Sequence, residues 1–307
     1  MRFLITGAHG DIARSISRII KENYKNSSIE GTDINSEGLG EYYYKKIHKV
    51  ASPTSKKYYH QIKKLLKKYN IIIPTTENEI KFFSKNKKKF KKKIILINSK
   101  FIIDTFSSKI KTFQYLKKNR FGVPNFCTKL NDIKKFEKPF FIKLDTGHGN
   151  KNYDFINSSK KFKNLNKLNK KKWIAQEFLN NNYKEYTCAI VKLKNFKNVI
   201  ILNRKLDKGY TYYAEIVHNM YLKNLLLELA DKIDLNGSIN VQLKINNKRH
   251  AIFEINPRLS STVMMRHKMG FKDCVWWINY NLRKKIPKFK SKIKKIKMIK
   301  FFSEKFI

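Results

Sequence analysis

The chain has 307 residues, 41% of them hydrophobic and 13% aromatic, enough to fill two or three packed units. No run of about 18 apolar residues exists, which excludes a spanning helix, and Cys127, Cys188 and Cys274 lie too far apart for a disulfide framework or a zinc pattern, so a reducing cytoplasm is expected. The formal net charge is +45, yet 59 of the 68 basic residues are lysines spread along the whole chain, not the arginine forks that read phosphates and base edges; the excess is read as a solvated surface of A/T-rich coding origin, without specific nucleic-acid binding.

MRFLITGAHG starts with a three-residue apolar run that stops at glycine, which predicts a buried strand at 2–6 and not a signal peptide. GAHGDIARSISRIIKEN turns on glycine into a helix, and SIEGTDIN (28–35) is a second strand ending near Asp33. KKYYHQIKKLLKKYN (56–70) has helical spacing at Tyr59, Ile62, Leu65, Leu66 and Tyr69. NIIIPTTENE (70–79) is a buried strand stopped at Pro74, and KKIILINS (92–99) is another. Strands separated by helices predict parallel βαβ units over 1–100.

Beyond 100 the pattern changes. A short helix is predicted over 107–119, closed by Gly122 and Pro124. KPFFIKLDTGHGNKNYDFI gives two short strands around a glycine loop. WIAQEFL (173–179), EYTCAIVKL (185–193) and NVIILNRKLDKGYTYYAEIV are strands, and a helix at 220–234 precedes SINVQLKI and HAIFEIN. The stretch 281–307 is lysine-rich with interspersed Ile, Phe and Met.

FEINPRLSST (253–262) places an acid, an amide, a proline and an arginine at the end of a strand. If 239–245 and 249–256 pair antiparallel, Val241, Leu243 and Ile245 face the core together with Ala251, Phe253 and Ile255 only when the loop has an odd number of residues, because side chains alternate. The same parity sends Gln242, Glu254 and Asn256 to the opposite face. One carboxylate and two amide oxygens suit Mg²⁺, a hard cation that takes oxygen ligands, and Arg258 lies within reach of the same anion.

With these residues in hand, the chain resembles ATP-grasp enzymes over nearly its whole length, nearest to single-unit proteins related to one half of the carbamoyl-phosphate synthase large subunit. The resemblance is carried by GAHGDIARSI, IIIPTTENE, the helix around Lys109, PFFIKLDTGHGNKN, QEFLNNNYKEYT, and NVQL followed by FEINPR. It implies an α/β and α+β architecture: a parallel-sheet, Rossmann-like pre-ATP-grasp domain (1–100), a linker helix and N-terminal lobe (101–172), a C-terminal lobe with the metal site (173–285), and a lysine-rich segment (286–307). It also implies an Mg²⁺-dependent ligase, Mn²⁺ being an alternative metal. Such an enzyme activates a small-molecule carboxylate as an acyl phosphate for attack by an amine.

The same resemblance assigns roles. Lys109, Lys143 and Arg258 meet ATP phosphates, with Lys143 and Arg258 catalytic. Gly147, His148 and Gly149 form the phosphate loop, the backbone of Gln176, Glu177, Phe178 and Leu179 meets adenine, and Glu185 meets the ribose. Gln242, Glu254 and Asn256 hold the metal, Gln242 also facing the nucleotide. A homodimer is the base-rate expectation.

The sequence departs from the pattern in a glycine-poor loop, GHGN, and in Thr187, Cys188 and Ala189 where relatives often carry acid. Two alternatives remain at this stage. Gly7-x-x-Gly10-x-x-Ala13 with Asp33 resembles a dinucleotide fingerprint, which would serve an NAD(P)-dependent epimerase or reductase, although tight-turn and helix-packing chemistry gives the same residues. The charge permits a polyanion or nucleic-acid binder whose affinity survives moderate salt.

Overall fold

The computed structural model describes residues 1–133, 136, 138–147, 153–157, 172–207, 210–247, 249–286 and 296–301. Its first third is a βαβ run: β1 (Arg2–Thr6), α1 (Asp11–Asn23), β2 (Ser28–Asp33), β3 (Ile47–Lys49), α2 (Lys56–Leu66), β4 (Ile71–Ile73), α3 (Glu77–Asn86) and β5 (Ile94–Ile95). The strands form a parallel sheet in the order β3-β2-β1-β4-β5. A parallel sheet needs cover on both faces. Here α1 lies against Phe3 and Ile5, while Tyr58, Ile62, Ile80 and Phe83 of α2 and α3 cover Leu4 and Ile72. The core face of α2 is led by Tyr58, not Tyr59 as its spacing predicted. Thr76 and Glu79 form a reciprocal capping box that starts α3.

Two helices follow where one was predicted. Each is begun by a serine side chain: α4 (Lys100–Phe106) by Ser99 and α5 (Lys109–Lys118) by Ser108. The end of α5 also differs from expectation. Arg120 takes the left-handed turn (φ 63°) that closes the helix. Gly122 has another job, since a Cβ there would collide with the His250 carbonyl.

A four-stranded sheet, β6-β9-β7-β8, is built from β6 (Phe126–Cys127), β7 (Phe140–Leu144), β8 (Tyr153–Ile156) and β9 (Trp173–Glu177), with α6 (Leu130–Ile133) after β6. Thus β9 joins the sheet of Lys143 and not the larger one. That larger sheet contains β10 (Lys184–Leu193), β11 (Phe196–Asp207), β12 (Tyr210–Ile216), β13 (Gly237–Ile245), β14 (His250–Asn256) and β15 (Lys297–Ile299), in the order β14-β13-β10-β11-β12-β15. One face packs on α4, α5 and α7 (Met220–Lys232). Part of the other shares a core with α1, α8 (Val263–Lys268) and α9 (Asp273–Asn281), so the N-terminal sheet is fixed to the large one through buried apolar contact. Asn98 adds a polar tie, donating to the Ser238 and Pro257 carbonyls, each at 2.9 Å.

All three cysteines are free thiols. Among the described residues no helix is long and apolar enough to cross a membrane.

Candidate functional site

The β13–β14 hairpin sets the site. Val241 pairs with Ile255 and Gln242 with Glu254, as expected; then the register shifts, and Leu243 pairs with Ile252. Phe253 is the extra residue of a β-bulge. The strands are joined by residues 246–249, an even loop that unbroken alternation had excluded. The bulge repairs the parity, and its cost is a changed core: Ile252 is fully buried in place of Phe253, which lines a cleft instead. The half of the hairpin carrying Gln242, Glu254 and Asn256 keeps its predicted face. Asn256 Nδ2 donates to Glu254 Oε1 at 2.9 Å.

Lys143, on β7, lies close enough to Glu254 to feel its charge. Its ammonium donates to Gln176 Oε1 at 2.9 Å, from the neighbouring strand β9. Burial pushes its pKa down to about 8; Lys109 and Lys244 act in the same sense, while Glu254 and Glu185 oppose them. All five groups therefore belong to one electrostatic cluster. Lys109 heads α5 and donates to the Gly147 carbonyl at 3.1 Å. Below it the Asp145 carboxylate accepts from Ser108 Oγ at 2.8 Å and Ile110 N at 2.9 Å, anchoring the end of β7 to the helix start. Glu77, Lys109, Gly147, Glu254, Asn256 and Arg258 line the same cleft. Burial lowers the Arg258 guanidinium from its usual range, and Glu254 and Glu77 pull it back up.

Two cations of the cluster were not singled out in the sequence. Lys244 follows Gln242 by two residues and so shares its face; it reaches the Leu179 carbonyl at 2.9 Å and Glu185 Oε2 at 3.9 Å. Arg204, on β11, donates to Gln242 Oε1 at 2.8 Å and lies 3.6 Å from Glu185 Oε1. Strand parity would have found Lys244. Arg204 needed the β10–β11 register, a long-range fact.

The segment proposed for adenine runs along this cluster. Phe178 meets Phe141 and Phe155 at ring distances of 5.5 and 5.3 Å, forming an aromatic wall, and Lys244 stands over its ring. Glu177 turns away: its carboxylate is held by Arg249 at 2.6 Å and by Asn125 N at 2.9 Å. Its side chain thus braces the connection between the two sheets. His148, Gly149 and Asn150 lie outside the described residues.

Beyond Arg258 the chain is clamped from below. Arg266, fully buried, donates to both Asp273 oxygens at 3.0 and 2.8 Å and to Ser260 Oγ and Thr262 Oγ1 at 2.8 and 2.9 Å. Those hydroxyls hold the arginine, and Thr262 begins α8 without a side-chain cap.

The dinucleotide reading fares differently. Gly7 adopts φ 65°, and a Cβ there would lie 2.7 Å from Thr76 Cγ2, so the glycine serves tight packing. Asp33 accepts from the backbone of His9 and of Asn35, both at 3.1 Å, and Gly40 N donates to His9 Nδ1 at 3.0 Å. The chain around Gly38 and Gly40 packs closely against Ala8 and His9 just after β1.

The donors at the hairpin fit a hard divalent cation: one carboxylate with two amide oxygens on a shared face. Glu254 and Asn256 face the cleft, whereas the Gln242 oxygen is engaged by Arg204. No group of three or more His, Cys, Asp or Glu placed to hold a metal exists among the described residues, so any ion here would depend on amides and on the ligand's own oxygens.

The profile of a family described as ATP-grasp in the biosynthetic pathway with Ter operon matches residues 169–301. Among curated proteins, none matches this sequence significantly. Solved structures do. N5-carboxyaminoimidazole synthetase from Staphylococcus aureus, complexed with ADP, superposes with a TM-score of 0.75 at 17% identity, over 93% of this chain and 78% of that one. A biotin carboxylase–β,γ-ATP complex from Campylobacter jejuni gives 0.73 at 14%, over 94% and 72%. The biotin carboxylase domain dimer of Hydrogenobacter thermophilus 2-oxoglutarate carboxylase, with MgADP, ADP and bicarbonate, gives 0.74 at 14%, over 95% and 72%. At such identities the likeness is one of fold.

Proposed function

Starting from the ATP-grasp fold that this chain carries, we propose that it is an ATP- and Mg²⁺-dependent ligase that activates a carboxylate for attack by an amine or similar nucleophile. One observation carries the reading: Lys109 and Arg258 line one cleft with Glu254 and Asn256, Lys143 is coupled electrostatically to Lys109, Lys244, Glu185 and Glu254, and Arg204 holds the neighbouring Gln242. Five cations against two or three acids suit a triphosphate, and phosphoryl transfer asks a protein chiefly for positioning and charge neutralisation.

In this reading the phosphates lie under the Gly147 loop. Lys109 and Lys143 hold them, and Arg258 neutralises charge on the transferred group. The aromatic wall of Phe141, Phe155 and Phe178 receives the adenine beside Gln176–Leu179, and Glu185 takes the ribose. Glu254 and Asn256, joined by Gln242, would hold Mg²⁺, which supplies Lewis-acid polarisation of phosphate oxygens when bound. A substrate carboxylate oxygen bonds to the γ-phosphorus, the β–γ bridging bond breaks, and ADP leaves. The amine nitrogen then bonds to the acyl carbon, and inorganic phosphate departs with its electron pair while the amine's proton passes to solvent or a nearby base. The acceptor pocket extends toward Glu77 and Thr75 of the N-terminal domain. Three free thiols suit the cytoplasm as the site of action.

A thermal-shift panel tests this. Mg-ATP should raise the melting temperature, while NAD(P) and a short DNA at moderate salt should not. A shift with NAD(P) alone would contradict the ligase reading.

A further inference from the structure

We propose that Arg204 is a latch on the metal site: it occupies the Gln242 oxygen until nucleotide phosphates draw the guanidinium away, so the divalent cation enters with the nucleotide and not before it. The inference rests on the reading of Gln242, Glu254 and Asn256 as the metal-facing set.

Three observations support the latch. The Arg204 Nη2–Gln242 Oε1 hydrogen bond, at 2.8 Å, places a permanent positive charge against one of three prospective ligands. A metal on that oxygen would face this charge at close range, and an arginine cannot deprotonate to make way. The two cations are compatible only if an anion lies between them or the guanidinium moves.

The second observation is that Arg204 is incompletely satisfied where it stands. Its side chain is 11% exposed, and its Nε is buried with no hydrogen-bond partner among the described residues. A buried donor left unmatched is costly. A guanidinium offers several donors in a planar fork, and phosphate oxygens are its natural complement.

The third is an exit held open nearby. Glu185 Oε1 stands 3.6 Å from Arg204 Nη2, and Glu185 is shared with Lys244 at 3.9 Å. The long Arg204–Glu185 contact offers a second anchor on the same face, so releasing Gln242 does not strand the charge. When phosphates arrive, Arg204 pairs with them, and Gln242 turns its oxygen to the metal.

The test measures Mn²⁺ binding to the full chain by electron paramagnetic resonance, without nucleotide and with ADP, in the wild type, Arg204→Met and Glu254→Gln. The wild type should bind Mn²⁺ weakly alone and much more tightly with ADP. Arg204→Met should bind Mn²⁺ alone at least about tenfold more tightly than the wild type, because the opposing charge is gone, and should bind metal-free ADP less tightly. Equal Mn²⁺ affinity in the two nucleotide-free proteins would overturn the latch. Should Arg204→Met fail to fold, Arg204→Gln carries the same expectation. Glu254→Gln separates the two levels: loss of ADP-dependent Mn²⁺ binding there upholds the metal site whatever Arg204 does. ADP-dependent binding unchanged in that variant removes the site and the latch together.

Discussion

Gln242 stands directly across the β13–β14 ladder from Glu254, and one residue further along the ladder slips at Phe253. The bulge lets a four-residue loop close a hairpin that still buries Leu243 and Ile252 while keeping Gln242 and Glu254 on one face. Glu254→Ala and Arg258→Ala should therefore fold normally and lose ATP turnover by about 10²–10³-fold or more, since the first removes the carboxylate that would hold the metal and the second the cation that would neutralise charge developing on phosphate. ADP release driven by the true substrate and undiminished in either variant would contradict these roles.

Lys143 gives a pH dependence with a fixed sign. Burial holds its ammonium at about 8, so much of it is neutral above that pH in the ligand-free protein. Bound phosphate favours the charged form. Nucleotide binding at about pH 9 should therefore take up a proton, and affinity should fall as pH rises through 8. The ligand-free fold, in turn, should gain stability from about pH 8 towards the ordinary lysine range, because the unfolded chain binds the proton more tightly. Calorimetry in two buffers of different ionisation enthalpy reads the uptake, and Lys143→Arg should abolish it.

The Arg266–Asp273 pair is sealed, with side chains 0% and 1% exposed. Asp273→Ala leaves a buried guanidinium uncompensated and should cost about 3–5 kcal/mol. Denaturant unfolding measures this as a lowered midpoint at unchanged slope. A cost near zero would mean that the clamp beneath Ser260 and Thr262 does not hold the segment after Arg258.

Glu177 separates a brace from a ligand contact. Its pair with Arg249 is partly exposed, so Glu177→Gln should lower stability by only about 1 kcal/mol, and nucleotide affinity should change less than about threefold. A large loss of affinity at unchanged melting temperature would contradict the brace and place Glu177's side chain on the nucleotide.

Local signals carried much of this structure into the sequence. Short apolar stretches, ended by glycine after β1 and by proline after β4, placed β1, β2, β4 and β5 but not the three-residue β3, and serine or threonine caps mark the starts of α2, α3, α4 and α5. Strand parity put Gln242, Glu254 and Asn256 on one face before any register was known. It failed for Phe253 because a bulge is a one-residue insertion against a partner strand, which one strand's pattern cannot reveal. Arg204 and Asn98 were illegible for a related reason: their partners lie on strands or turns that only the folded chain brings close. Lysine gave no signal in a chain so rich in it, and Lys143 stands out through the burial and neighbours that the sheets impose.

Crystals grown with Mn²⁺ and a non-hydrolysable ATP analogue, measured at a wavelength where manganese scatters anomalously, would locate the metal. The anomalous peak should lie about 2.0–2.3 Å from oxygens of Glu254 and Asn256 and from phosphate oxygens, with the adenine beside Phe178. A peak elsewhere, or a nucleotide seated at the Gly7 turn, would contradict the site described.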